Sequence, residues 1–131
     1  MKKIKYLLSL ASCIFVVACA SSNTNPLQGK NFQTQQDGTK ITLNFDKEQP
    51  RLFGKVVNTY TAPYEIAGDN ITVGMMASTM MMPIGKAAEV EQNYFKFMSA
   101  QEPKQFKLSG NGETLTIRNN DGKEYRFQRV F

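Results

Sequence analysis

The sequence predicts an α+β domain: a small antiparallel sheet of about seven or eight strands, curled into a partial barrel and packed with one amphipathic helix. Three observations carry that expectation. Short runs alternate polar and apolar residues with period two, and turn residues separate them at close intervals. One stretch, residues 86–100, repeats its apolar residues at helical spacing instead. That stretch falls ahead of the last three alternating runs.

The first run covers Gly29–Gln36 and turns at Asp37-Gly38 into Thr39–Asp46. Within the second, Lys40-Ile41-Thr42-Leu43-Asn44-Phe45-Asp46 alternates cleanly, the signature of a half-buried strand. Glu48-Gln49-Pro50 breaks the chain before Arg51–Val57, where Gly54 suggests a bulge or a close backbone approach. Thr59–Ile66 follows, with Pro63 implying an edge or an irregularity. Gly68-Asp69-Asn70 turns into Ile71–Met76. Ala87, Ala88, Glu91, Tyr94, Phe95 and Met98 then share one helical face, Glu91 being its polar exception, and Pro103 stops the helix. Gln105–Ser109, Glu113–Arg118 and Lys123–Val130 close the chain, joined by turns at Gly110-Asn111-Gly112 and Asn120-Asp121-Gly122.

Composition narrows the chemistry. A chain of 131 residues holds one domain at most, and a 41% hydrophobic share is enough for a modest core. With no histidine, the commonest general base and metal ligand is missing, so His-dependent triads and His-ligated metal sites are excluded. Two cysteines cannot build a Cys-rich zinc site. The acids show no paired-carboxylate spacing. An enzyme is therefore not expected, and neither is a cofactor or a resident metal.

Residues 1–18 read as a leader rather than as fold. Lys2, Lys3 and Lys5 head a short apolar stretch from Tyr6 to Ala18, too short to span a bilayer comfortably. The segment Val16-Val17-Ala18-Cys19 resembles a bacterial lipobox. That resemblance implies cleavage between Ala18 and Cys19, a diacylglycerol on the Cys19 thiol and an acylated new amino group. Several acyl chains anchor stably where one does not. Ala20 and Ser21 follow, with no Asp after the cysteine, so the resemblance points to the outer membrane facing the periplasm. Residues 19–26 then form a lipidated tether, and 27–131 the domain. Removing Lys2, Lys3 and Lys5 with the leader leaves 13 of the 16 basic side chains against 11 acidic ones, a net charge of about +2. These charges alternate in sign, so nucleic-acid binding has no support.

Residues 52–82 run from Leu-Phe-Gly-Lys-Val-Val-Asn-Thr-Tyr-Thr to Ala-Ser-Thr-Met-Met-Met. This resembles the META domain of the HslJ-type heat-inducible bacterial lipoprotein family. That family has a Gly, a short gap and Cys-Asn before an aromatic, then a Thr-x-Met-x-Cys-like segment ahead of the helix. Gly54, Asn58 and Tyr60 match the first element; Thr79, Met80 and Met81 match the second. The two cysteines are replaced here by Val57 and Met82. The resemblance implies that these two side chains touch in the core. It also implies a barrel-like domain without catalytic apparatus and a role in envelope stress tolerance. By fold analogy alone it extends to pilot lipoproteins that capture a lipid or a protein tail.

The methionines are the strongest compositional anomaly: Met75, Met76, Met80, Met81 and Met82 lie within eight residues. Three uses fit. The first is filling the core beneath the helix, the second an adaptable groove for a peptide or acyl chain, and the third a thioether site for Cu(I). Core filling is the favoured expectation. Tyr60 and Tyr64 around Pro63 form a candidate exposed contact surface. Asn119-Asn120-Asp121-Gly122 hints at a calcium loop but lacks the following acidic ligands. Asn58 is expected to tie a loop backbone. Together these features predict a non-enzymatic, lipid-anchored envelope protein that binds a protein or an apolar ligand.

Overall fold

A computed structural model describes residues 25–131. The leader, Ala18, Cys19 and most of the tether lie outside the described residues. The described residues form nine strands and one helix: β1 (Asn31–Gln36), β2 (Thr39–Phe45), β3 (Arg51–Lys55), β4 (Thr59–Ala67), β5 (Asn70–Val73), β6 (Ala77–Ser78), α1 (Gly85–Ser99), β7 (Lys104–Ser109), β8 (Thr114–Arg118) and β9 (Glu124–Val130). All pairings are antiparallel. The order β3-β2-β1-β9-β8-β7-β5-β4 closes on itself because β4 also pairs with β3. Eight strands thus form a closed barrel, and β6 adds a short ladder to the edge of β4.

The turns follow from backbone chemistry. Asp37 and Gly38 both take positive φ, 48° and 78°, which lets a two-residue hairpin follow the twist of β1 and β2. Asn119 Oδ1 accepts from the amides of Asp121 and Lys123, so the supposed calcium-loop oxygen is occupied by its own turn.

Alternation fills the barrel. Phe32, Ile41, Leu43, Phe45, Leu52, Tyr60, Ala62, Tyr64, Ile71, Val73, Leu115, Ile117, Tyr125 and Phe127 are buried. An eight-stranded barrel is just wide enough for such side chains to pack its interior. Tyr60 and Tyr64 are therefore core residues and not the exposed contact surface their flanking proline suggested. In an antiparallel ladder the aromatic ring takes the inward side, and Pro63 takes the outward one between them. At one end of β4, Tyr64 accepts a hydrogen bond from Asn25 Nδ2 at 2.8 Å, and buried Leu27 joins the core. Asn25, assigned to the tether from sequence, is thus docked on the barrel.

The helix lies across the opposite end of β4. Val90, Glu91, Tyr94, Phe97 and Met98 form its buried stripe. Tyr94 packs edge-on against Tyr60, Tyr125 and Phe127. Its hydroxyl lies 2.5 Å from that of Tyr60, which donates to the Thr42 carbonyl at 2.6 Å. Burial pushes both phenols above their ordinary value of 10.0, so they stay neutral hydrogen-bonding groups. At the helix C-terminus the buried Lys104 donates from Nζ to the Ala100 carbonyl at 2.6 Å, and its burial lowers its pKa.

Gly54 is the close approach that its sequence suggested. It sits opposite Tyr60, and a Cβ there would lie 2.0 Å from the Thr42 carbonyl oxygen and 2.7 Å from the Tyr60 hydroxyl. The missing side chain makes room for the Tyr60–Thr42 hydrogen bond. Gly54→Ala should therefore destabilise the fold by about 1–3 kcal/mol in denaturant unfolding. An unchanged midpoint would show that this contact is not tight.

Candidate functional site

The methionine segment connects β5 to α1. Gly74 N donates to the Pro63 carbonyl at 2.8 Å, which keeps the chain beside β4 as it leaves β5. Ala77 and Ser78 then pair with Thr61 and Tyr60. Thr79 N donates to the Thr59 carbonyl at 3.0 Å, and Thr59 N donates to Thr79 Oγ1 at 3.1 Å. Beyond Thr79 the strand ladder ends, and Asn58 takes over as the template. Its Oδ1 accepts from Met81 N at 2.6 Å and from Thr79 Oγ1 at 2.9 Å. Its Nδ2 donates to the Met81 carbonyl at 3.0 Å. One amide side chain thus satisfies both backbone groups of Met81, as a neighbouring strand would.

Asn58 is itself held from the helix. Glu91, a buried residue on α1, accepts from Val57 N at 3.0 Å, Asn58 N at 2.6 Å and Asn58 Nδ2 at 2.7 Å. Three donors to one carboxylate offset much of what is lost by taking it out of water. The chain of contacts runs from helix to β3–β4 turn to methionine loop.

The loop's side chains point outward. Met80 and Met82 are each 91% exposed, Ile84 85%, Met75 79% and Met81 59%. Only Met76 of the five clustered methionines packs against the core. The core-filling expectation is therefore overturned. Inward positions there are already taken by Tyr60 and Tyr94, while the loop runs beside β4 at its edge, past the two-residue β6 ladder. The expected burial of Val57 against Met82 fails for the same reason: Val57 is half-buried, Met82 is not.

The sequence-predicted residues divide accordingly. Gly54, Asn58 and Tyr60 are buried, Val57 contributes its amide to Glu91, and Thr79, Met80, Met81 and Met82 form the loop. Ala18 and Cys19 lie outside the described residues. The residue that sequence reading passed over is Glu91, and its signal was already visible as a lone acid on the apolar face of the helix. Elsewhere, an open groove of about 1140 Å³ crosses the outer faces of β7, β8 and β9. Its lining includes Lys107, Thr116, Arg118, Glu124 and Arg126. Among the described residues, no three or more His, Cys, Asp or Glu side chains gather into a metal cluster.

This architecture has known counterparts. The family model described as META domain matches residues 23–130. The chain belongs to the META domain family. The META fold here is also similar to two solved structures. One is an NMR structure of a protein from Burkholderia xenovorans, with a TM-score of 0.61 and 18% identity over 81% of this chain and 88% of that one. A second NMR structure gives a TM-score of 0.62 at 18% identity, covering 81% of this chain and 95% of its own. At that identity the likeness shows the fold alone. No curated protein matches the chain. Placed on this META domain, the Gly54, Asn58, Tyr60 and Thr79 positions are the parts of one brace: space for Tyr60, and a clamp on Met81.

Glu91→Ala would leave the Val57 and Asn58 amides without their acceptor. It should cost about 2–4 kcal/mol in denaturant unfolding, more than a single neutral hydrogen bond. A loss below about 0.5 kcal/mol would show that the carboxylate is not the brace.

Proposed function

We propose that this META-type chain is a non-enzymatic, lipid-anchored envelope protein that works by surface binding in support of envelope stress tolerance. Anchoring is through Cys19, on the outer membrane facing the periplasm. The basic head, the apolar stretch and Val16-Val17-Ala18-Cys19 support the anchor. Asn25, bonded to Tyr64, stands six residues after Cys19, so the barrel would sit within roughly 20 Å of the lipid. Among the described residues no helix is long and apolar enough to cross a membrane. The absence of histidine from the whole sequence supports a non-catalytic role.

The observation that carries surface binding is the outward display of Met80–Ile84 on a braced loop above a filled barrel. Exposed apolar side chains held in a fixed backbone are the ordinary make-up of a contact surface. They also favour a second reading, capture of a specific protein partner in the manner of a pilot module.

Two experiments test the anchor and the surface in turn. Cys19→Ser should move the protein from the membrane fraction to the soluble fraction and abolish palmitate labelling. Unchanged fractionation would refute the anchor. Co-purification from the same envelopes should recover one stoichiometric protein partner that Met80→Ser/Met82→Ser loses, if the second reading holds. Recovery unaffected by that pair of changes would dismiss the loop as the capture surface.

A further inference from the structure

The methionine loop has chemistry beyond its apolarity. Apart from Met1, the methionines of the chain fall into two sets. Met75, Met80, Met81 and Met82 are exposed, Met80 and Met82 almost fully. Met76 packs against the core, and Met98 is fully buried in it. A thioether is oxidised at its own sulfur, so each side chain reacts according to its own access to solvent, with no need for the sulfurs to meet. The strand-like pairing of the Met81 backbone turns Met80 and Met82 to one side and Met81 to the other, and both sides are open. Competing targets are few. The sequence has no tryptophan and no histidine, Cys13 lies in the leader, and Cys19 is the residue proposed to carry lipid.

Oxidation here alters the surface and spares its support. Residues 74–85 hold no ionisable side chain, so the apolar character of the segment rests chiefly on its methionines. A sulfoxide makes that flexible apolar side chain polar. The brace beneath uses no thioether: Glu91 accepts from Val57 and Asn58, and Asn58 meets the N–H and the carbonyl of Met81. An exposed sulfur also has room for the added oxygen, which the packed sulfur of Met98 lacks.

We propose that Met75, Met80, Met81 and Met82 form a reversible oxidation site, taken to sulfoxides by hydrogen peroxide while the barrel keeps its fold. At each residue the sulfur lone pair attacks one peroxide oxygen. The S–O bond forms as the O–O bond breaks, and the sulfur gives up two electrons. The transferred oxygen passes its proton to the departing hydroxide, which leaves as water. The modification depends neither on the anchor nor on a captured partner. Its consequence for binding, a polar loop in place of an apolar one, rests on the surface-binding reading.

The test treats the purified full chain, its cysteines alkylated beforehand, with graded hydrogen peroxide and locates the sulfoxides by peptide mass spectrometry. The four loop methionines should oxidise at least ~10-fold faster than Met98, whose sulfur is reached only when the fold opens. In guanidinium chloride that difference should vanish. At the dose that saturates the loop and spares Met98, the unfolding midpoint should stay that of the untreated protein. Methionine sulfoxide reductases of both epimer specificities, with a thiol reductant, should then return the chain to its original mass. Met98 oxidising in the folded protein as fast as the loop would overturn the site. A lowered midpoint at that dose would overturn the sparing of the fold, and sulfoxides that resist both reductases would overturn reversibility.

Discussion

A carboxylate held out of water organises the end of the barrel where the loop is displayed. Glu91 lies on the apolar face of α1, and no lysine or arginine among the described residues forms an ion pair with it. A buried carboxylate left bare would be too costly for a small domain to carry. It is retained because two backbone amides and one side-chain amide converge on it from the β3–β4 turn. That convergence fixes the helix against the turn. It also orients Asn58 so that its other atoms face outward to Met81 and Thr79. A single buried side chain thus links helix placement, turn conformation and loop display.

The same geometry explains why the interior is not the working part. Tyr94 reaches from α1 into the barrel and meets Tyr60, Tyr125 and Phe127, while Gly54 gives the Tyr60 ring its place beside Thr42. Aromatic rings at edge-to-face geometry leave a packed centre. What the fold offers outward is a loop whose backbone is fixed and whose side chains are free. Rigid backbone with adaptable thioether side chains combines low ordering cost with tolerance of the partner's shape.

Much of the architecture was legible in the sequence because strand alternation and turn chemistry are local. Ile41, Leu43 and Phe45 alternate and are buried; Asp37-Gly38 turns as its residue types require. The helix begins and ends within a residue of its expected bounds. Two features were not legible. The two-residue β6 has no alternation to read, and it exists because Thr79 and Asn58 extend the β4 ladder. The outward turn of the methionines was also hidden. A hydrophobic residue type predicts burial, but here Tyr60 and Tyr94 already fill the core and the segment runs along the edge of β4 with its side chains exposed. Likewise, Pro63 suggested an edge or an irregularity, yet it pairs with Arg51 in an unbroken ladder with β3, and it said nothing of the tyrosines beside it, whose inward direction is set by barrel closure. Asn58 was readable as a loop tie, whereas its partner Glu91 stands 33 residues away, and only the tertiary fold brings them together.

The account turns on the Asn58 clamp fixing the methionine loop through the Met81 backbone. Hydrogen exchange at single-residue resolution tests this most directly. The Met81 amide should be protected to nearly the level of the β4 amides, although it lies outside every strand. In Asn58→Ala that protection should disappear while β1, β2, β8 and β9 keep theirs. A Met81 amide that exchanges in the unaltered protein as fast as those of Met80 and Met82 would contradict the account.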